Sequence, residues 1–164
     1  YAATRIDVEI VRLPPALQSG WFIPHVVTYF ISYAALSLSA LAAAFYLVAA
    51  RFKGRLGADS VLEPALSFAH ASMTSGFVLL TFGLAMGAVW GKMAWGDYWS
   101  WDPKENWALI TWLVYLTITH LRYFAGWHGR RYAWLSVAGF GVVMFTYLGV
   151  HLLPTSADSL HVYQ

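Results

Sequence analysis

The chain has 164 residues, of which 59% are hydrophobic, 18% aromatic and only 11% charged, with a formal net charge of +2 and no cysteine. Together with a mean hydropathy of +0.55, this balance exceeds what a soluble domain of such length carries and places the chain in a membrane. The charge is too small to argue for nucleic acid, and without cysteine there is no disulfide, thiolate metal site or cysteine nucleophile, which leaves histidine, methionine and carboxylate as ligands.

In chain order, residues 1–25 read as a segment outside the membrane, because the stretch from Leu13 to Trp21, with Pro14 and Pro15, is too short and proline-rich to span. Four apolar segments follow, at about 26–50, 65–89, 106–123 and 133–153, each matched to a hydrocarbon core of about 30 Å, which takes roughly 20 helical residues. The third is the shortest and includes Asn106 and Thr111, so its ends are expected near the interfaces. Arg51, Lys53 and Arg55 form a basic connector between the first two segments, and Arg122, Arg130 and Arg131 another between the last two. The positive-inside rule puts both on the cytoplasmic side. Alternation of four helices then brings segment 1–25, the loop 90–105 and the tail 154–164 together on the extracytoplasmic face. Gly83, Gly87, Gly139 and Gly141 read as close helix-packing positions. The expected fold is an all-α integral membrane protein: a single membrane domain, residues 1–164, built as a bundle of four transmembrane helices. With Tyr1 at its start and no signal-like region there, the chain is expected to be the C-terminal part of a larger protein.

Residues 90 to 107 are dense in tryptophan: Trp90, Trp95, Trp99, Trp101 and Trp107 lie between two apolar stretches. Indoles offer large π-faces with single N–H donors, which suits both the wet edge of a bilayer and contact with a flat aromatic ligand. Gly91 and Gly96 allow turning and close approach, and Pro103 behind Asp102 has the pattern of a first-turn proline in a helix that Asp102 caps, reinforced by Glu105. The plain alternative is an aromatic belt. Belts are usually sparse, however, and not concentrated with two glycines and an aspartate in one loop.

Six histidines remain to be sorted. His25 stands at the outer start of the first helix and His161 in the polar tail, so the pair flanks the tryptophan loop and has the donor chemistry for the two axial nitrogens of a haem iron. His120 lies within the third helix near its cytoplasmic end, where an ionisable group marks a functional site by default. His70, in the cytoplasmic half of the second helix, is either its neighbour across the bundle or, as the favoured reading, a helix-to-helix hydrogen-bonding group. His128 and His151 have no sequence neighbour that singles them out. Lys92, Lys104, Arg51 and Arg122 are ordinary interfacial cations and receive no site role.

The run Trp95-Gly96-Asp97-Tyr98-Trp99-Ser100-Trp101-Asp102 resembles the WWD signature of haem-handling proteins in cytochrome c biogenesis, and Pro103-Lys104-Glu105-Asn106-Trp107-Ala108 narrows the likeness to the CcsA (ResC) type. Leu17-Gln18-Ser19, His25-Val26, Ser32-Tyr33-Ala34, Gly87-Ala88-Val89-Trp90, His120-Leu121-Arg122 and Leu160-His161 resemble that family in order and spacing, so the likeness covers most of the chain. The resemblance implies a component of a cytochrome c synthase. Haem (haem b) enters through a transmembrane site, is held at the outer surface between two external histidines, and is joined by thioether bonds to the Cys-x-x-Cys-His motif of an apocytochrome c. Carried over by position, His25 and His161 match the external axial pair and His120 the transmembrane histidine, while Trp95, Gly96, Trp99, Trp101 and Asp102 match the loop. A CcsB/ResB-type membrane partner is implied, as is a bacterial inner or thylakoid membrane with the loop and both chain ends extracytoplasmic. The family's second transmembrane histidine has no counterpart in this chain. The rival readings are a haem exporter or chaperone of the CcmC kind, and a non-catalytic haem-binding or structural subunit of a larger complex.

Overall fold

The computed structural model describes residues 15–54 and 59–154. After a 3-10 turn at Pro15–Gln18 come four helices, α1 (Phe22–Ala49), α2 (Asp59–Trp95), α3 (Pro103–Tyr123) and α4 (Gly129–Met144). The last continues through a π turn, Phe145–Gly149, and a 3-10 turn, Val150–Leu152. There is no strand among the described residues.

Among the described residues, three helical runs are long and apolar enough to cross a membrane, Phe22–Phe52, Ser60–Trp95 and Gly129–Leu152. Their outward faces are themselves apolar: Leu41 is 66% exposed, Phe82 59% and Trp134 60%, a surface suited to lipid and far larger than a soluble monomer leaves bare. The chain is thus an all-α membrane protein. α3 is long enough at 21 residues but does not join those three. Lys104, Glu105 and Asn106 in its first turn, with His120 and Arg122 in its last, lower its hydropathy at both ends.

The helices differ in extent from the apolar segments. α2 starts earlier, at Asp59, continues through Pro64, and ends later, at Trp95. Trp90 to Trp95 are therefore helical and the connecting loop shrinks to residues 96–102. Gly96, at φ +92°, ends the helix, and no atom lies where its Cβ would project. Glycine is needed here for the left-handed backbone.

α1 and α2 form the most extensive interface, with α4 packed on α1 and on α3. Small residues bring α2 close to α1: a Cβ at Gly76 would lie 2.7 Å from Leu36 Cδ2 and 3.2 Å from the Leu36 backbone nitrogen. Gly83 and Gly87 face α1 in the same way, and Gly139 of α4 faces Ile118 and Tyr115 of α3. Gly141 departs from the expectation, since open space surrounds it. Buried hydroxyls find partners inside the bundle, as a solvent without hydrogen bonds demands. Ser32 donates to the Gly76 carbonyl at 2.8 Å, Ser39 to that of Ala69 at 2.7 Å with Ser136 2.8 Å away, and Thr111 pairs with Thr146 at 2.7 Å. Gly76→Val is expected to cost about 1–3 kcal/mol through overpacking against an unyielding backbone. Gly141→Ala is expected to be neutral or to gain up to about 1 kcal/mol of helix propensity. Denaturation midpoints in detergent check the pair, and equal shifts would refute the close α1–α2 approach.

Candidate functional site

The first turns of α1 and α3, the last turns of α2 and the π turn after α4 converge around an open-sided cavity of about 300 Å³. On α1, His25, Tyr29 and Tyr33 follow at four-residue intervals and so share one face, and all three line the cavity. His25 packs into α2 where the second helix has no side chains: a Cβ at Gly87 would stand 2.6 Å from its Cε1 and 2.9 Å from its Nδ1. Its Nδ1 lies 2.9 Å from the carbonyl oxygen of Gly83. A carbonyl only accepts, so Nδ1 carries the proton and donates, which leaves the ring's lone pair on Nε2, the arrangement of a histidine oriented for metal ligation. Trp90, 3% exposed, stacks on the imidazole with centroids 5.6 Å apart and planes 18° off parallel. Tyr29 meets it edge-on at 4.9 Å.

The loop is built from its cap outward. Asp102 caps α3, its carboxylate accepting from the Lys104 N–H at 2.8 Å, and Pro103 starts the helix. Glu105 completes the capping box. Its Oε2 accepts from Ser100 N at 2.8 Å, Ser100 Oγ at 3.1 Å and Asp102 N at 3.2 Å. Between those groups Trp101 sits at φ +61°, while Asn106 Nδ2 donates to its carbonyl at 2.8 Å. A left-handed bulky residue costs about 1–3 kcal/mol and persists only where surrounding bonds over-determine it. Here the cap supplies them.

The sequence-derived residues divide accordingly. His25, Trp95 and Trp99 line the cavity. Trp101, 70% exposed, does not line it and touches Trp99 edge-on at 6.2 Å. Asp102 is buried as the cap and Gly96 forms the turn, neither lining the cavity. His120 lies at the far end of α3, exposed and stacked on Phe124 at 4.5 Å. His161 lies outside the described residues. His70 makes no interhelical bond through Nε2, which is buried without a partner, and its ring meets Tyr123 and Tyr132 edge-on. In place of the favoured helix-to-helix hydrogen bond, the ring is packed by these edge contacts with tyrosines of α3 and α4.

Trp90, read from the sequence as one of the loop's five indoles, is the wall behind the imidazole. Other contributors were given no site role from the sequence: Tyr29 and Tyr33 join the cavity through their spacing from His25. Tyr147 enters through the π turn, whose extra residue rotates it toward Phe30 and Tyr33 at 6.3 and 6.2 Å, as such turns do at functional sites. Lys104 also lines the cavity.

A family model described as cytochrome c assembly protein matches residues 4–157. The chain is similar to the cytochrome c biogenesis protein CcsA of Chlamydomonas reinhardtii, 43% identical over an alignment of 155 residues that covers 92% of this chain and 42% of that protein. It is also similar to the CcsA proteins of Parasynechococcus marenigrum (strain WH8102), 40% identical over 174 residues (90% and 57%), and of Synechococcus elongatus (strain ATCC 33912 / PCC 7942 / FACHB-805), 39% identical over 198 residues (92% and 60%). The chain spans about half the length of the curated relatives it matches.

Proposed function

This chain belongs to the cytochrome c assembly protein family, and from that premise we propose that it handles haem for the maturation of c-type cytochromes, holding haem b as a substrate against His25 and presenting it to an apocytochrome c. The observation that carries this reading is the His25 imidazole, fixed by Gly83 and Trp90 at the wall of an aromatic cavity. The residues fit the group. A volume of about 300 Å³ is at the lower end for small-molecule sites, and the open side lets a larger ring project toward Trp95, Trp99 and the loop. His161 is the second axial ligand and His120 the ligand of haem on its way from the opposite side.

Four spans, with α3 as the fourth, support the orientation. Arg51 and Lys53 follow α1, and Arg122, Arg130 and Arg131 flank the α3–α4 turn, at the end opposite the cavity. The positive-inside rule makes that end cytoplasmic and the cavity extracytoplasmic. When bound, the haem supplies vinyl groups, across each of which one S–H of the Cys-x-x-Cys-His motif adds, forming a C–S bond and leaving the proton on the neighbouring carbon. This chain's contribution is positional: His25 holds the iron, Trp90, Trp95 and Trp99 hold the ring plane, and Gly96, Asp102 and Glu105 hold the loop. A membrane partner of the CcsB type completes the synthase.

The test is the absorption spectrum of the purified chain together with covalent haem in c-type cytochromes after the gene is disrupted. A low-spin, imidazole-ligated spectrum and loss of covalent haem are expected. No haem and unaltered cytochromes would overturn the proposal; bound haem with unaltered cytochromes would favour a subunit that retains its haem.

A further inference from the structure

Among the described residues, Lys104 is the one lysine or arginine that lines the cavity, and its position has chemical consequences. It is the second residue of α3, so its backbone N–H is held by the Asp102 carboxylate while its side chain projects beside the cavity. Glu105, the carboxylate nearest along the chain, lines the same cavity but spends Oε2 on three donors of the loop. No ion pair of Lys104 forms among the described residues. The neighbouring Lys92 is committed elsewhere: its Nζ donates to the Gly96 carbonyl at 2.5 Å and lies 5.5 Å from the centre of the Tyr98 ring. The cavity lining thus combines an imidazole, aromatic faces and the ammonium of Lys104, the last without an ion-pair partner among the described residues and at the positive end of a helix. An occupant that satisfies all three is a flat metal-bearing ring with an acidic substituent.

Resting on the haem-handling reading above, we infer that Lys104 is a positioning residue that anchors a carboxylate of the ring whose iron His25 ligates. Two fixed points, iron on His25 and carboxylate on Lys104, leave the ring no freedom to rotate in its plane. They hold its acidic edge at α3 and turn the remaining edges toward the loop. The site then selects for an ionised carboxylate and discriminates against a ring of equal size and ligation in which that carboxylate is esterified.

The experiment titrates the purified full chain in detergent with haem and with haem dimethyl ester, following the low-spin absorption band, in the wild type, Lys104→Gln and Lys104→Arg. The wild type is expected to bind haem about tenfold more tightly than the diester, the scale of one charge-assisted hydrogen bond. Lys104→Gln is expected to lose that preference by weakening haem alone. Its diester affinity, unchanged, shows that the fold and the His25 ligand are intact, and Lys104→Arg retains the preference. Equal binding of the two rings by the wild type, a preference that survives in Lys104→Gln, or a parallel loss of both ligands in that variant would overturn the inference while leaving the His25 site standing. Failure of the wild type to bind either ring would overturn the haem-handling reading and this inference with it.

Discussion

Gly87→Val is expected to abolish low-spin haem ligation as completely as His25→Ala, although residue 87 offers no ligand. The Cβ of the new side chain would lie 2.6 Å from His25 Cε1 and 2.9 Å from Nδ1, well inside van der Waals contact. The imidazole cannot retreat in place, because Trp90 stacks against one face and Tyr29 against its edge. It must swing out, and the bond from Nδ1 to Gly83 O is lost with it. Breaking the outer hydrogen bond of a ligating histidine alone typically costs 10–100-fold in affinity, and displacement of the ring adds to that. The helix itself tolerates the change, since valine is better than glycine in a helix interior by roughly a few tenths of a kcal/mol. Haem spectra of the two variants with and without added imidazole separate the causes. Free imidazole restores the spectrum of His25→Ala, where the slot between Gly83, Gly87 and Trp90 is vacant. It fails to restore Gly87→Val, where the valine fills the slot. A wild-type spectrum for Gly87→Val would refute the placement of His25.

That slot shows what could be read from the residues alone. Gly83 and Gly87 were legible as packing positions because small residues in apolar helices mark close approach, and His25 was legible because it follows a proline-rich segment and opens a span. That the two observations concern one contact was not legible; it depends on the register of α1 against α2. The cap was fully legible, since Asp102-Pro103-Lys104-Glu105 encodes its own local geometry. The extent of α2 was not. Apolarity fades after Val89, yet backbone hydrogen bonding continues to Trp95, because tryptophan at an interface is compatible with a helix and only Gly96 stops it. The same shift decides the indoles. Trp90 and Trp95, on a helix, both line the cavity and touch each other at 4.6 Å, while Trp101, on the strained loop, does not line it. Lys104 looked ordinary because interfacial lysines are common; its value comes from the cavity that four distant segments build beside it.

Glu105→Ala is expected to release the loop that carries Trp99 and Trp101. One carboxylate oxygen holds Ser100 through both N–H and Oγ and holds Asp102 through its N–H. Removing it orphans two backbone donors and deletes the return half of the capping box, a loss of about 1–2 kcal/mol. The strain at Trp101 works in the same direction, because the +61° φ is tolerated only while the flanking amides are fixed. The opening free energy of residues 96–102 should therefore fall by that amount, and amide exchange at Ser100 and Asp102 should quicken about five- to thirtyfold while α1 and the middle of α2 keep their protection. Glu105→Gln retains an acceptor at the same reach and should quicken exchange by a smaller factor. Trp101→Gly, which accepts a left-handed backbone without strain, should partly restore protection in the Glu105→Ala background. Hydrogen exchange read by mass spectrometry distinguishes these cases. If Glu105→Ala exchanged like the wild type, the loop would be held by its tryptophans and the cap would be incidental. If it exchanged faster but kept full haem affinity, the shape of the loop would matter for the partner that receives the ring and not for the chain that holds it.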